Sequence, residues 1–314
     1  VVAPLAVVSL GTNTVRLLVA RPDESGGLAD VELGAIGTRL GEGLRDGGSL
    51  GSEPRARTLA AVREFAERAR AHGARVVAIA TSAMRRAENG AAFALEVEEA
   101  CGAPLQILGG EREAGCSFRG ATARAERDGL RRAVVDIGGG STECAVGCDG
   151  VLEAAASVEI GSVRLTELFP GLAGTMPGAP ARAAAASART FLGEKLAGFA
   201  AFRPISEARC VAGTPLTLGA VAFGSSVDRV SGRTLSLGQI EALVERLLDL
   251  DLQARKDLPG MLAQRADVLP AGGLILCETL RLLECDAAKL ESDDLLLGFL
   301  LETFAASEPA LPLG

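Results

Sequence analysis

The 314-residue chain is longer than a single hydrophobic core usually supports, and with 48% apolar residues it can fill two domains of about 150 residues each. A net charge of −8, no Trp, no Tyr and ten Phe exclude a general nucleic-acid binder, which needs a basic face and aromatic platforms for bases. Seven cysteines without paired spacing exclude a disulfide framework and point to a reducing, cytoplasmic setting.

No apolar run approaches the ~20 residues that span a bilayer, and Val1-Val2-Ala3-Pro4 lacks the basic segment of a signal peptide, so no membrane association is expected. Leu5 to Leu10 reads as a strand, Gly11-Thr12-Asn13-Thr14 as a turn and Val15 to Ala20 as the return strand, with a further strand at Val31 to Gly37. Thr38 to Leu44 is a loop with Arg39 among glycines. Ser52 is expected to cap a helix carrying Pro54 in its first turn and burying Leu59, Val62, Phe65 and Ala69. His72, the only histidine, precedes Gly73 at that helix's end and reads as a polar group closing it. Histidine acid–base chemistry is therefore not expected, and proton transfer falls to carboxylates. Arg75 to Ala80 is a strand delivering Thr81 to Arg86 at its C-terminal edge, where ligand sites of α/β proteins gather. A helix from Ala91 to Cys101 and a strand from Pro104 to Leu108 lead to Gly109-Gly110, which opens a helix bearing Glu111 and Glu113.

The most informative stretch follows: the apolar run Ala133 to Val135, then Asp136-Ile137-Gly138-Gly139-Gly140-Ser141-Thr142-Glu143, then a second strand from Cys144 to Gly147. Three glycines without Cβ atoms let backbone N–H groups approach an anion. The hydroxyls add donors, and the flanking carboxylates can hold a divalent cation over phosphates. Cys144 and Cys148 have no His or Cys neighbours to complete a zinc site. The first hairpin is a degraded copy of this one: Ser9 aligns with Asp136, 127 positions later. A period that long implies duplicated domains with a ligand cleft between them, since solenoid repeats recur at ~20–50 residues.

Beyond the third strand of this half (Val151 to Ser157), Gly161 to Leu168 reads as a helix, Pro170 to Pro180 as a loop and Ala181 to Phe199 as an alanine-rich helix. The strand Arg209 to Ala212 ends in Gly213-Thr214, a third small, hydroxyl-bearing turn able to approach a ligand. Ser236 and Gln239 fit a capping box for a helix to Leu250. Ala263 to Leu283 is expected to be helical around Pro270, Lys289 to Glu291 a short strand, Asp293 to Phe304 the final helix, and the tail from Glu308 frayed.

Taken in order, Leu10 to Leu18, Arg39 to Leu44, Ala80 to Arg85, Gly110 to Ala114, Asp136 to Glu143, Gly161 to Leu165 and Ala212 to Thr214 resemble the exopolyphosphatase / guanosine pentaphosphate phosphohydrolase family, a branch of the actin-like ATPase fold. The resemblance covers nearly the whole chain and is to the short form without an added C-terminal helical domain. It implies an α/β protein of two duplicated ribonuclease H-like (actin-like ATPase) domains with an interdomain cleft. Residues 1–127 would form the first domain, completed by a C-terminal helix at 293–306, and residues 128–292 the second. The implied reaction removes terminal phosphate from inorganic polyphosphate or guanosine pentaphosphate, with Mg²⁺ (or Mn²⁺) as cofactor. A homodimer is the default assembly.

By the same resemblance Glu113 orients and deprotonates the attacking water, with Glu111 as a neighbour that could be mistaken for it. Asp136 and Glu143 hold the metal, and Glu143 can also act on the water. Gly138, Gly139, Gly140, Ser141 and Thr142 contact phosphate, while Arg85 and Arg39 neutralise it, a surface salt bridge being the alternative for Arg39. Gly11, Thr12, Asn13 and Arg16 line the opposite wall, unless Arg16 braces the fold. Two departures matter. Ser9 stands where the family has a metal-holding aspartate, and Asp294-Leu295-Leu296-Leu297-Gly298 lacks the arginine of the family's Gly-Leu-Arg-x-Gly segment. They leave open a silent sensor of polyphosphate or guanosine tetraphosphate; an ATP-dependent kinase or ATPase ranks below it.

Overall fold

The computed structural model describes residues 3–23 and 27–306. Its first half begins with an antiparallel meander of β1 (Leu5–Leu10), β2 (Thr14–Pro22) and β3 (Leu28–Gly37). It continues through α1 (Ser52–Ala71), β4 (Arg75–Ala80), α2 (Ser82–Arg86), α3 (Gly90–Cys101) and β5 (Leu105–Ile107). The sheet order is β3-β2-β1-β4-β5, with β4 parallel to β1 and β5 parallel to β4. Every residue of β1 is buried, because both faces of the sheet are covered. Its alternating side chains feed two cores: Ala6, Val8 and Leu10 meet Val62, Phe65 and Phe93, whereas Leu5 and Val7 meet residues from the end of the chain.

The second half runs α4 (Gly110–Thr122), β6 (Arg131–Ile137), β7 (Thr142–Cys148), β8 (Val151–Val158), α5 (Ser162–Leu168), α6 (Ala179–Lys195), β9 (Glu207–Val211) and α7 (Gly213–Phe223). It closes with β10 (Thr234–Ser236), α8 (Leu237–Leu248), α9 (Leu252–Lys256), α10 (Leu269–Leu283), β11 (Ala287–Leu290) and α11 (Leu295–Ala305). From one edge the strand order is β8-β7-β6-β9-β11, with β10 added antiparallel at the far side. This repeats the first sheet's order strand for strand, the duplicated ribonuclease H-like plan of actin-like ATPases. Each meander therefore puts one hairpin turn at the same end of its sheet.

Two helices exchange places between the halves. Helix α4 lays Ala114, Phe118 and Ala121 on Val134, Ala145 and Val211 of the second sheet. Helix α11 lays Leu296, Phe299 and Leu300 on Leu5, Val7 and Leu18 of the first. The two helices touch where both lack side chains. A Cβ on Gly298 would stand 1.8 Å from the Cys116 carbonyl oxygen, and one on Gly120 2.0 Å from that of Asp294. On this packing we propose counting α4 with the second unit, which draws the division ahead of residue 110.

Several local expectations need correction. Ser52 is the first residue of α1 and Gly51 its cap, because the Arg55 N–H already bonds the Gly51 carbonyl. Ala263 to Leu283 is not continuous: a 3-10 turn spans Ala263–Arg265 and α10 starts only at Leu269. Pro270 sits in the first turn of α10, where its missing N–H costs nothing, but it disfavours helix in the residues before it. Helix α6 stops at Lys195, and a separate 3-10 turn covers Ala197–Phe202. The Ser236 capping box is present, with both reciprocal bonds to Gln239. His72 pairs with Glu32 at 2.6 Å. Val1, Val2 and the tail from Glu308 lie outside the described residues, among which no helix is long and apolar enough to cross a membrane.

Gly298→Val should lower stability by about 1–3 kcal/mol or more through overpacking against α4, seen as a lower denaturant midpoint. Gly238→Ala, in α8 with nothing within 4 Å of the added methyl, should stay within about 0.5 kcal/mol of the parent protein.

Candidate active site

The two hairpin turns meet face to face. A Cβ on Gly139 would lie 3.2 Å from Thr12 Cβ and 3.3 Å from Asn13 Cβ, and one on Gly140 2.5 Å from Thr12 Oγ1 and 2.6 Å from Ser82 Oγ. These glycines are thus required by the approach of the opposite turn as well as by any anion. Gly161, ahead of α5, packs equally closely on Gly138 and Gly139. The loop after β3 braces the first turn: the Thr38 and Arg39 N–H groups donate to Asn13 O at 3.1 and 3.0 Å, and Gly41 N donates to Thr12 O at 2.9 Å. Among the described residues the N–H groups of Gly139 and Gly140 have no hydrogen-bond partner.

A cavity of about 80 Å³ lies between the turns, bounded by Ser9, Gly11 to Thr14, Arg16, Thr81, Glu113, Asp136, Gly138 to Ser141, Ala212, Gly213 and Arg265. Ala212 holds a φ of +71°, a strained value for a residue with a Cβ, directly before Gly213. Asn13 is 4% exposed, and neither end of its carboxamide has a partner. Ser9 stands opposite Arg16 in the β1–β2 register, as Asp136 stands opposite Glu143 between β6 and β7. Arg16 itself is held by Asp294 at 2.5 Å.

Three buried carboxylates share this end of the second sheet. Glu113, in the first turn of α4, accepts a bond from Arg85 at 3.1 Å, and Arg85 also donates to Leu108 O at 2.7 Å. Asp136 accepts from Ser117 Oγ at 2.6 Å. Glu143 accepts from Ser157 Oγ at 2.7 Å through one oxygen, while its other oxygen is buried without a partner. Burial, then the charge of Asp136, pushes Glu113 up to about 8 despite Arg85. Burial and the charge of Asp294 push Asp136 up to about 6, and burial with both neighbours holds Glu143 well above the usual carboxylate range. Among the described residues no three His, Cys, Asp or Glu side chains converge as a metal site.

Arg265 was not singled out from sequence. It sits in the 3-10 turn before α10, against Gly213, whose Cβ would fall 2.0 Å from Nη2. No ion-pair partner for it is found among the described residues, and burial together with Arg16 lowers its pKa to about 10, which still leaves it cationic at neutral pH. Other expected residues lie off the cavity. Arg39 is engaged by both oxygens of Asp267 at 2.7 Å. Thr142 donates to Ile160 O at 2.7 Å, since strand alternation turns it away from the face of Glu143. Thr214 is buried next to Gly213, and Glu143, opposite Asp136 across β6 and β7, does not line the cavity.

Residues 18–301 match the Ppx/GppA phosphatase family, and the chain belongs to that family. It is 33% identical over 296 residues to exopolyphosphatase 2 of Mycobacterium tuberculosis, covering 88% of this chain and 90% of that protein. Among solved structures, an exopolyphosphatase-like protein superposes with a TM-score of 0.86 at 28% identity, covering 97% and 99% of the two chains. A Ppx/GppA family member from Aquifex aeolicus does so with a TM-score of 0.80 at 26% identity, covering 98% and 99%.

The carboxylate cluster makes a prediction independent of activity. A carboxyl raised to about 8 keeps its proton in the folded state while the unfolded chain loses it near pH 4.3. Its stabilisation is complete below that lower value and is lost as pH rises through about 8. Glu113→Gln, which carries no such proton, should therefore melt above the parent protein at pH 9, with the gap shrinking or reversing at pH 4. A gap that does not vary with pH would contradict the assignment.

Proposed function

We propose that this chain is a metal-dependent phosphoanhydride hydrolase that removes the terminal phosphate of inorganic polyphosphate or guanosine pentaphosphate. The observation that carries the reading is a buried carboxylate, Glu113, bordering a small cavity that also offers an unpaired cation, an unpaired carboxamide and free backbone N–H groups. Hydrolysis of a phosphoanhydride asks for positioned water and charge stabilisation more than for a covalent nucleophile. In this reading the terminal phosphoryl group rests on the Gly139 and Gly140 N–H groups and the Asn13 carboxamide, with Arg265 neutralising its charge. Glu113, oriented by Arg85, accepts the proton of the attacking water.

Asp136, which lines the cavity, would hold Mg²⁺ or Mn²⁺, and Glu143 beside it would do so directly or through water. The unpartnered Glu143 oxygen fits this role, because Mg²⁺ commonly binds through one or two carboxylates plus substrate phosphates and keeps several waters. When bound, the cation offsets negative charge on the phosphoryl and bridging oxygens. Glu113 works as a base only when ionised, so free-enzyme activity should climb with pH through about 8. A second reading, a binding protein that turns over slowly or not at all, draws on Ser9: the cavity wall there carries a hydroxyl where the second hairpin carries a carboxylate.

The deciding experiment measures phosphate release from long polyphosphate, tripolyphosphate and guanosine pentaphosphate with Mg²⁺ and with Mn²⁺. We expect release that a chelator abolishes, and that Glu113→Gln lowers by about 100-fold or more while calorimetric affinity is retained. Arg265→Ala should reduce both affinity and kcat. Tight binding without release under either metal would favour the sensor, and unchanged release in Glu113→Gln would remove Glu113 from its role.

A further inference from the structure

A second cavity, of about 450 Å³, opens beside the first and is bounded by Arg45, Asp46, Arg86, Arg164, Glu167 and Leu168 among others. Its two walls grow out of the inner site. On one side Thr81 borders the inner cavity and caps α2, whose last residue is Arg86. Five residues of helix carry the chain about 6 Å outward. On the other side Gly161, packed on the glycine turn, starts α5, and the Val163 and Arg164 N–H groups both bond Gly139 O. Arg164, Glu167 and Leu168 then face the outer cavity. Arg85 and Arg86 are thus successive residues serving successive compartments, Arg85 against Glu113 within and Arg86 without.

The outer arginines are held by a carboxylate in the manner of a phosphate. Asp46, 75% exposed, takes two bonds from Arg164 at 2.8 Å and one from Arg86 at 3.0 Å. Arg164 and Arg86 are only 20% and 13% exposed. Arg45 is exposed and has no ion-pair partner among the described residues. The inner cavity, at about 80 Å³, is much the smaller of the two, the outer being about 450 Å³, so a long chain that enters the inner one continues outside it. Between the compartments Glu159 bridges to Ser82 and to Arg85, the latter at 2.5 Å.

Resting on the hydrolase reading above, we propose that the outer cavity is a distal subsite for inorganic polyphosphate, in which Arg45, Arg86 and Arg164 grip internal phosphates after these displace the Asp46 carboxylate. The site then recognises a chain of phosphates extending beyond the reacting end, and the protein favours long chains over short ones. Arginine suits this because its planar fork binds carboxylate and phosphate oxygens in the same bidentate geometry.

The test compares binding and turnover of long-chain polyphosphate with those of tripolyphosphate. Arg45→Glu, whose parent side chain is exposed and unpaired, and Arg164→Ala should each raise the Kd and KM for the long chain about tenfold relative to tripolyphosphate, without lowering kcat. Asp46→Asn should shift the same ratio the other way by removing the competing carboxylate. Equal changes for both lengths, or none, would overturn the subsite; Arg45→Glu decides the matter should Arg164→Ala fold poorly. If the parent protein binds polyphosphate but releases no phosphate, the hydrolase reading fails while the length ratio still reports on the subsite. If it binds neither length, both fall.

Discussion

The structure depends on one steric constraint: two backbone turns from different halves of the chain approach so closely that one of them can carry no side chains. Gly139 and Gly140 lie within Cβ distance of Thr12, Asn13 and Ser82. The strand order that precedes each turn is the same, so the two turns arrive at matching ends of matching sheets. Everything at the site follows from that meeting. The cavity is what remains between the turns, and its polar character comes from backbone groups and short side chains that neither turn can satisfy by itself.

Electrostatics then tunes a site that sterics has shaped. An acidic chain concentrates three carboxylates at one end of its second sheet, where Arg85 bonds Glu113 and Arg16 acts on Asp136, and it holds its nearby arginines by carboxylates from other elements. Arg16 is anchored by Asp294, Arg39 by Asp267, Arg85 by Glu159 and Arg164 by Asp46. Each pair joins segments more than 70 residues apart in sequence. The Arg164–Asp46 pair, with Asp46 75% exposed, contributes little to stability, whereas the other three are part-buried. The effect of all four is to fix where guanidinium groups point. Among the described residues Arg265 alone of the cavity's arginines has no carboxylate partner, and burial together with Arg16 lowers its pKa.

Much of this was legible from residues alone because its determinants are local. The hairpins announce themselves through apolar runs broken by glycine, and the Ser236–Gln239 box through residue types at fixed spacing. Glu113 was reached through the resemblance of Gly110 to Ala114 to the family, since Glu111 shares the same first turn of the helix. What escaped depends on packing between distant segments. Nothing near Arg265 marks it, since its role arises from a break ahead of Pro270 and from the bare surface of Gly213. Arg39 and Thr142 were expected at the ligand, yet Asp267 and the Ile160 carbonyl claim them first. The exchange of α4 and α11 is likewise a matter of packing, since the sequence of neither helix states which sheet it covers.

That exchange has a consequence for how the molecule is made. The lower face of the first sheet is closed by Leu296, Phe299 and Leu300, residues from the far end of the described chain. During synthesis the first five strands emerge well before the helix that seals them, leaving Leu5, Val7 and Leu18 facing water. The first unit therefore cannot mature vectorially. Its core closes only once α11 has been made.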